Sequence, residues 1–190
     1  MIITLKKLLR QLILSTLLGG LALVVWGMIF WGFLADPVGV FHTLPNADAV
    51  TALLQANGTT TGTYFMPWPR KTAEEFAAFV AQHQRGPFYL LMYIREGVDP
   101  NSPGKLLLGV LHYLTVALLA TLLLLMTNLP RYGSRVLVVL LAGLLGSNFI
   151  TLGNPLWFHL PWDYTLGNLF YEVVSWLLLG LVTAPFVRPA

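Results

Sequence analysis

The chain has 190 residues, of which 56% are hydrophobic and only 10% charged, with a net charge of +3 and no cysteine. A soluble domain carries about 25% charged residues, so this composition excludes a single water-soluble core. The missing cysteine excludes disulfides, thiolate metal sites and a cysteine nucleophile, and the lack of a basic stripe with interleaved aromatics excludes nucleic acid as a partner.

Residues 1–10 carry Lys6, Lys7 and Arg10 and no acid, and 25 uncharged residues separate Arg10 from Asp36. That gap exceeds the roughly 20 residues that cross a bilayer as a helix, which predicts a first membrane helix over 11–34. Its apolar run ends in bulky Trp31 and Phe33 rather than at a small-residue cleavage site, so it reads as a retained anchor and not a cleaved signal peptide. Trp26, Met28, Phe30, Trp31 and Phe33 crowd its outer half, a surface suited to the lipid interface or to another subunit.

Residues 35–105 read as a small α/β cap. Pro45 and Asn46 open an amphipathic helix (Ala47, Val50, Leu53, Leu54) that Gly58 ends. Thr59 to Phe65 is rich in strand formers and runs into Met66-Pro67-Trp68-Pro69. Thr72 and Glu75 form a capping box for a second helix with Phe76, Phe79 and Val80 on one face. Gly86-Pro87 ends that helix, Phe88 to Ile94 forms a second strand, and Gly97 to Gly104 is a turn. Two strands alone are marginal in water, so the cap is expected to rest on the membrane helices or on a partner, with Trp68, Phe88, Tyr89 and Tyr93 as contact residues. An interfacial aromatic belt is the competing explanation for those rings.

Three more spans follow. Lys105 and Arg131 bracket 25 uncharged residues and Arg135 and Asp163 bracket 27, predicting helices over 106–128 and 136–153. The apolar run after Asp163, broken by Glu172, predicts a fourth over 166–187. The connections are a turn at 129–135, a loop at 154–165 and a tail at 188–190. Basic residues in short segments mark the cytoplasmic side. Lys6, Lys7 and Arg10, then Arg131 and Arg135, then Arg188 therefore place both termini inside. The cap, with bases including Arg70 and Lys71 outnumbered by acids, and the loop carrying Asp163 fall outside. The predicted fold is an all-α transmembrane four-helix bundle, one helix plus three, with an extracytoplasmic α/β cap between the first two helices.

Leu44-Pro45-Asn46-Ala47-Asp48-Ala49-Val50, Gly62-Thr63-Tyr64-Phe65 with Pro67, Gly86-Pro87 and Ser102-Pro103-Gly104 together resemble a family of small bacterial inner-membrane proteins with one helix, an outer loop and three more helices. The resemblance implies an inner-membrane location and this layout. It implies no activity, cofactor or catalytic residue.

Polar side chains at membrane depth are functional candidates. His112 lies about 10 Å along the second helix from Lys105. Asn148 and Thr151 share a face near the outer end of the third, and Glu172 lies one to two turns into the fourth with Asn168 and Ser175 on its face. With His159 and Asp163 in the last loop they define an outer polar layer. His112, His159 and Glu172 are candidate metal ligands, and the layer equally suits haem, proton exchange with a quinol, or packing alone. Ser15 with Gly19 and Ala142 with Gly146 are small pairs suited to close helix crossings. No catalytic motif occurs, and the apolar inner halves of the helices argue against a transport path. The resulting expectation is a non-catalytic accessory, assembly or binding subunit of a larger membrane complex. Its partners would be the lipid bilayer and other membrane subunits, with no cofactor identified and a metal-, haem- or quinol-binding protein as the alternative.

Overall fold

A computed structural model describes residues 5–68 and 72–187; Arg70, Lys71, Pro69 and Arg188 lie outside the described residues. Four helical rods in it are long and apolar enough to cross a membrane: Leu5–Leu34, Pro103–Thr127, Tyr132–Phe158 and Trp162–Thr183. The chain divides into two compact units, one formed by Thr43–Pro100 and the other by the residues on either side of it.

In the larger unit, α1 (Leu5–Ile29) runs on through a π-helical segment, Phe30–Leu34, closed by the Ala35 amide on the Phe30 carbonyl. Ser15, Gly19, Gly20, Leu23 and Gly27 are buried. The three glycines explain how closely α1 is approached. A Cβ at Gly19 would stand 2.8 Å from the Thr183 methyl, one at Gly20 2.6 Å from Leu114, and one at Gly27 2.6 Å from the Tyr113 hydroxyl. Lipid supplies no hydrophobic drive for helices to associate, so small residues that admit a neighbouring helix do that work.

The neighbours are α4 (Pro103–Thr127) and α7 (Trp162–Thr183), and α7 in turn packs on α5 (Tyr132–Ile150). A six-residue helix, α6 (Gly153–Phe158), follows α5. α1 is therefore not set apart from a group of three. It is wedged between α4 and α7, and Trp26 and Phe30 pack inward against Tyr171 and Phe170 instead of facing outward. The Ser15–Gly19 pair sits on this buried face, whereas Ala142 and Gly146 are exposed. The close approach of α5 to α7 uses Gly143, whose absent Cβ leaves room for the Trp176 ring, and Gly180 against the Val136 backbone.

The helices start earlier than the charge gaps suggest. α4 begins at Pro103, where the missing proline amide costs nothing, and α7 begins at Trp162 behind Pro161. At the opposite end, Arg135 is buried and its guanidinium donates to the carbonyls of Ala184, Leu129 and Pro130 at 2.9–3.0 Å. One side chain thus caps the C-terminal end of α7, where a cation also suits the helix dipole, and fastens to it the turn that follows α4.

The smaller unit has the order helix, strand, helix, strand: α2 (Ala47–Ala56), β1 (Gly62–Met66), α3 (Ala73–Arg85) and β2 (Tyr89–Tyr93). The strands pair antiparallel, Gly62 opposite Tyr93 and Met66 opposite Tyr89. The capping box forms, with Glu75 N–H donating to the Thr72 hydroxyl and Thr72 N–H to the Glu75 carboxylate, both at 3.2 Å. Asn46 holds the N-cap position of α2 in the left-handed conformation with no side-chain cap. Gly58, at φ +67°, supplies the turn after it. A run of ring contacts, Phe76 to Phe79 to His83 to Phe88 to Phe65 to Trp68, ties α3 to the strands.

Candidate functional site

The polar residues picked out by depth are spread over several faces. His112 is exposed on α4, its ring 5.6 Å from that of its neighbour Tyr113. Tyr113 points the other way, inward, and its hydroxyl lies 2.7 Å from that of Tyr171. Asn148 is exposed on α5. His159 is exposed, in the left-handed conformation (φ +53°) that terminates α6. Among the described residues no three His, Asp or Glu side chains gather as a metal-binding group, so His112, His159 and Glu172 do not converge.

Two pairs do form. Glu172 is half-buried, and the Thr151 hydroxyl donates to its carboxylate, lying 2.7 and 2.9 Å from the two oxygens. The helix turn that ends α5 puts Thr151 there, so a helix end is fastened to the flank of α7. Because α7 begins at Trp162, Glu172 stands ten residues in, about 15 Å along a helix of about 33 Å. It is near the middle of the rod. Asn168 and Ser175 do not join it. They donate to the Tyr164 and Tyr171 carbonyls four residues back on their own helix, the usual local alternative for such side chains.

The second pair is Asp163 with His42, 2.7 Å apart at the surface. Sequence reasoning missed His42, because it follows the first span in a stretch with no spacing or motif linking it to Asp163, 121 residues away. The pairing ties the chain leaving α1 to the first turn of α7. Next to it, Phe41 and Tyr164 are in ring contact, and Val40 fills the space that a Gly167 side chain would take.

A buried hydroxyl cluster lies toward the other end. Ser15 and Thr121 are hydrogen-bonded at 2.9 Å, and Thr183 bonds its own helix through the Leu179 carbonyl. These groups are fully enclosed and serve the α1–α4–α7 contact.

In the smaller unit, Trp68 and Tyr89 are exposed and line a shallow hollow with Thr63, Phe65 and Met66. Phe88 and Tyr93 are half-buried, and Phe88 packs edge-on against Phe65 at 5.0 Å. Phe88 is thus part of the unit's own aromatic run. Thr43–Pro100 contributes none of the buried hydrophobic side chains of the described chain.

Among the described residues the arrangement holds two separate pairs, the Thr151 hydroxyl with the Glu172 carboxylate and the His42 imidazole with the Asp163 carboxylate. No family model, curated protein or solved structure matches the chain.

Proposed function

We propose that this protein is a non-catalytic accessory, assembly or binding subunit of a larger complex in the bacterial inner membrane. In this reading both termini are cytoplasmic, and the Thr43–Pro100 unit is the extracytoplasmic cap of a four-helix bundle. The carrying observation is His112, a polar side chain on the outward face of α4. It stands nine residues, about 14 Å, inside the α4 start. Polar groups at such depth nearly always face protein or water rather than lipid. A partner helix laid along α4 satisfies that requirement. The exposed Trp68 and Tyr89, on a unit whose described residues add none of the buried hydrophobic side chains, support the same reading on the outer side.

The test is purification of the chain in mild detergent with a photo-crosslinking residue at Leu108 or Thr115, which flank His112 on the same face. A discrete crosslinked product with another membrane protein is expected, and it should be lost in a control with the crosslinker at buried Ala117. Crosslinking to lipid alone overturns the reading. Quinol binding is the second reading, favoured by the Glu172 carboxylate deep in α7. It predicts that quinone protects the chain thermally and that E172Q abolishes the protection.

A further inference from the structure

We infer that the groove between α1 and α7 is a binding site for an anionic membrane phospholipid, with the lipid phosphate at Lys6, Lys7 and Arg10 and an acyl chain running up the groove. The groove has a volume of about 580 Å³, and Leu18, Leu21, Val25 and Trp26 of α1 and Val182 and Phe186 of the α7 end line it. It exists because the glycine and serine stripe of α1 draws α7 in beside it, leaving the adjacent stripe of larger residues to form one wall. That wall repeats at Leu18, Leu21, Val25 and Ile29, and the same helical face continues back through Leu14 to Lys7, eleven residues before Leu18.

Register places the basic side chains at the mouth. The Ser15 hydroxyl is 3.5 Å from the Thr183 carbonyl, so the two helices are level there. Phe186, three residues further, lies roughly 4.5 Å beyond, level with about residue 12. The groove therefore opens about one turn or less from Arg10. Lys6, Lys7 and Arg10 are exposed, and no acid occurs in the sequence before Asp36. At the far end the Trp26 ring is fixed, its Nε1 donating to the Tyr171 carbonyl at 3.2 Å while the rings stack at 6.1 Å.

Charge complementarity selects the occupant. An apolar furrow ending in three cations matches a hydrocarbon chain ending in a phosphate, the same pairing that draws anionic headgroups to basic residues beside membrane helices. A second copy laid parallel would bring its own three cations to the same place and be repelled.

The test uses the full chain in neutral detergent, titrated with dioleoyl phosphatidylglycerol or dioleoyl phosphatidylcholine and read by native mass spectrometry. Each basic residue near a headgroup contributes about fivefold, so the anionic lipid should bind about 100-fold tighter. K6Q/K7Q/R10Q should erase the preference, and A22F, which fills the groove, should weaken binding of the anionic lipid. V25F, at the exposed rim, serves where A22F unfolds. Phosphatidylglycerol with brominated chains should quench the wild type more than W26F, since Trp26 lines the groove. Equal affinity for the two lipids, as a groove shaped for a partner helix or a second copy would give, overturns the inference. So does a preference that survives K6Q/K7Q/R10Q, or quenching that W26F leaves unchanged.

Discussion

Arg135 ties two parts of the chain together: its guanidinium donates to the Ala184 carbonyl at the end of α7 and to the Leu129 and Pro130 carbonyls of the turn that follows α4. R135M should lower stability by about 3 kcal/mol, because three acceptors lose a charged donor. R135K should recover part of that, since a single ammonium cannot span the same three oxygens. Thermal melts in detergent check the order wild type, lysine, methionine. The Thr151–Glu172 pair is a different case, in which one partner removed leaves a carboxylate in a poor solvent. T151V should cost about 2 kcal/mol, whereas T151V/E172L should regain most of it, because removing both partners leaves nothing unsatisfied. A double mutant no more stable than T151V would show that Glu172 is satisfied by other groups. In the smaller unit, the Thr61 hydroxyl donates to Glu96 at 2.6 Å. That bond, then the Glu96 amide and the Arg95 charge, hold the carboxyl below its ordinary value. A lowered folded-state value stabilises the turn above the ordinary carboxylate range, and the contribution is lost as pH falls through the lowered value. An NMR titration should find Glu96 below ordinary glutamates, and T61V should bring it back toward them.

At the scale of elements, contacts between helices are governed by where small residues face. G143A should destabilise by about 1–3 kcal/mol, since the new methyl would collide with the Trp176 ring. G146A, with nothing within 4 Å, should leave the melting temperature unchanged or slightly raised, because alanine is the better helix former. Comparing the two by melts in detergent separates a crossing from a bare face. α1 shows the same logic over a longer stretch. Its composition alone reads as an anchor, yet its glycines make it the middle element between α4 and α7. Of its crowded aromatics, Trp26 and Phe30 turn inward onto Tyr171, while Trp31 and Phe33 stay exposed.

For the molecule as a whole, the proposed orientation is directly measurable because the chain has no cysteine of its own. A cysteine placed at Gly58 should react with a membrane-impermeant maleimide in intact cells, and one at Gly133 should react only after the membrane is opened. The reverse pattern would invert the proposed orientation and move the cap to the cytoplasm. The accessory role and the lipid groove use different faces, α4 for one and the α1–α7 seam for the other, so H112L and K6Q/K7Q/R10Q should have separable effects. H112L should weaken partner capture without altering lipid preference.

The four rods, the helix–strand–helix–strand order and the capping box at Thr72 were legible in the sequence. Each follows from a property of consecutive residues: an uncharged run long enough to cross lipid, a period, or a donor and acceptor three positions apart. The same is true of the small pair Ser15–Gly19. What only the tertiary structure decided is which distant residues meet. Nothing local links His42 to Asp163 or Thr151 to Glu172. Depth along a helix can be counted from the sequence, but rotation about its axis is set by packing against neighbours. For that reason His112 and Asn148, which counting places in one layer with Glu172, turn outward, while Thr151 turns in.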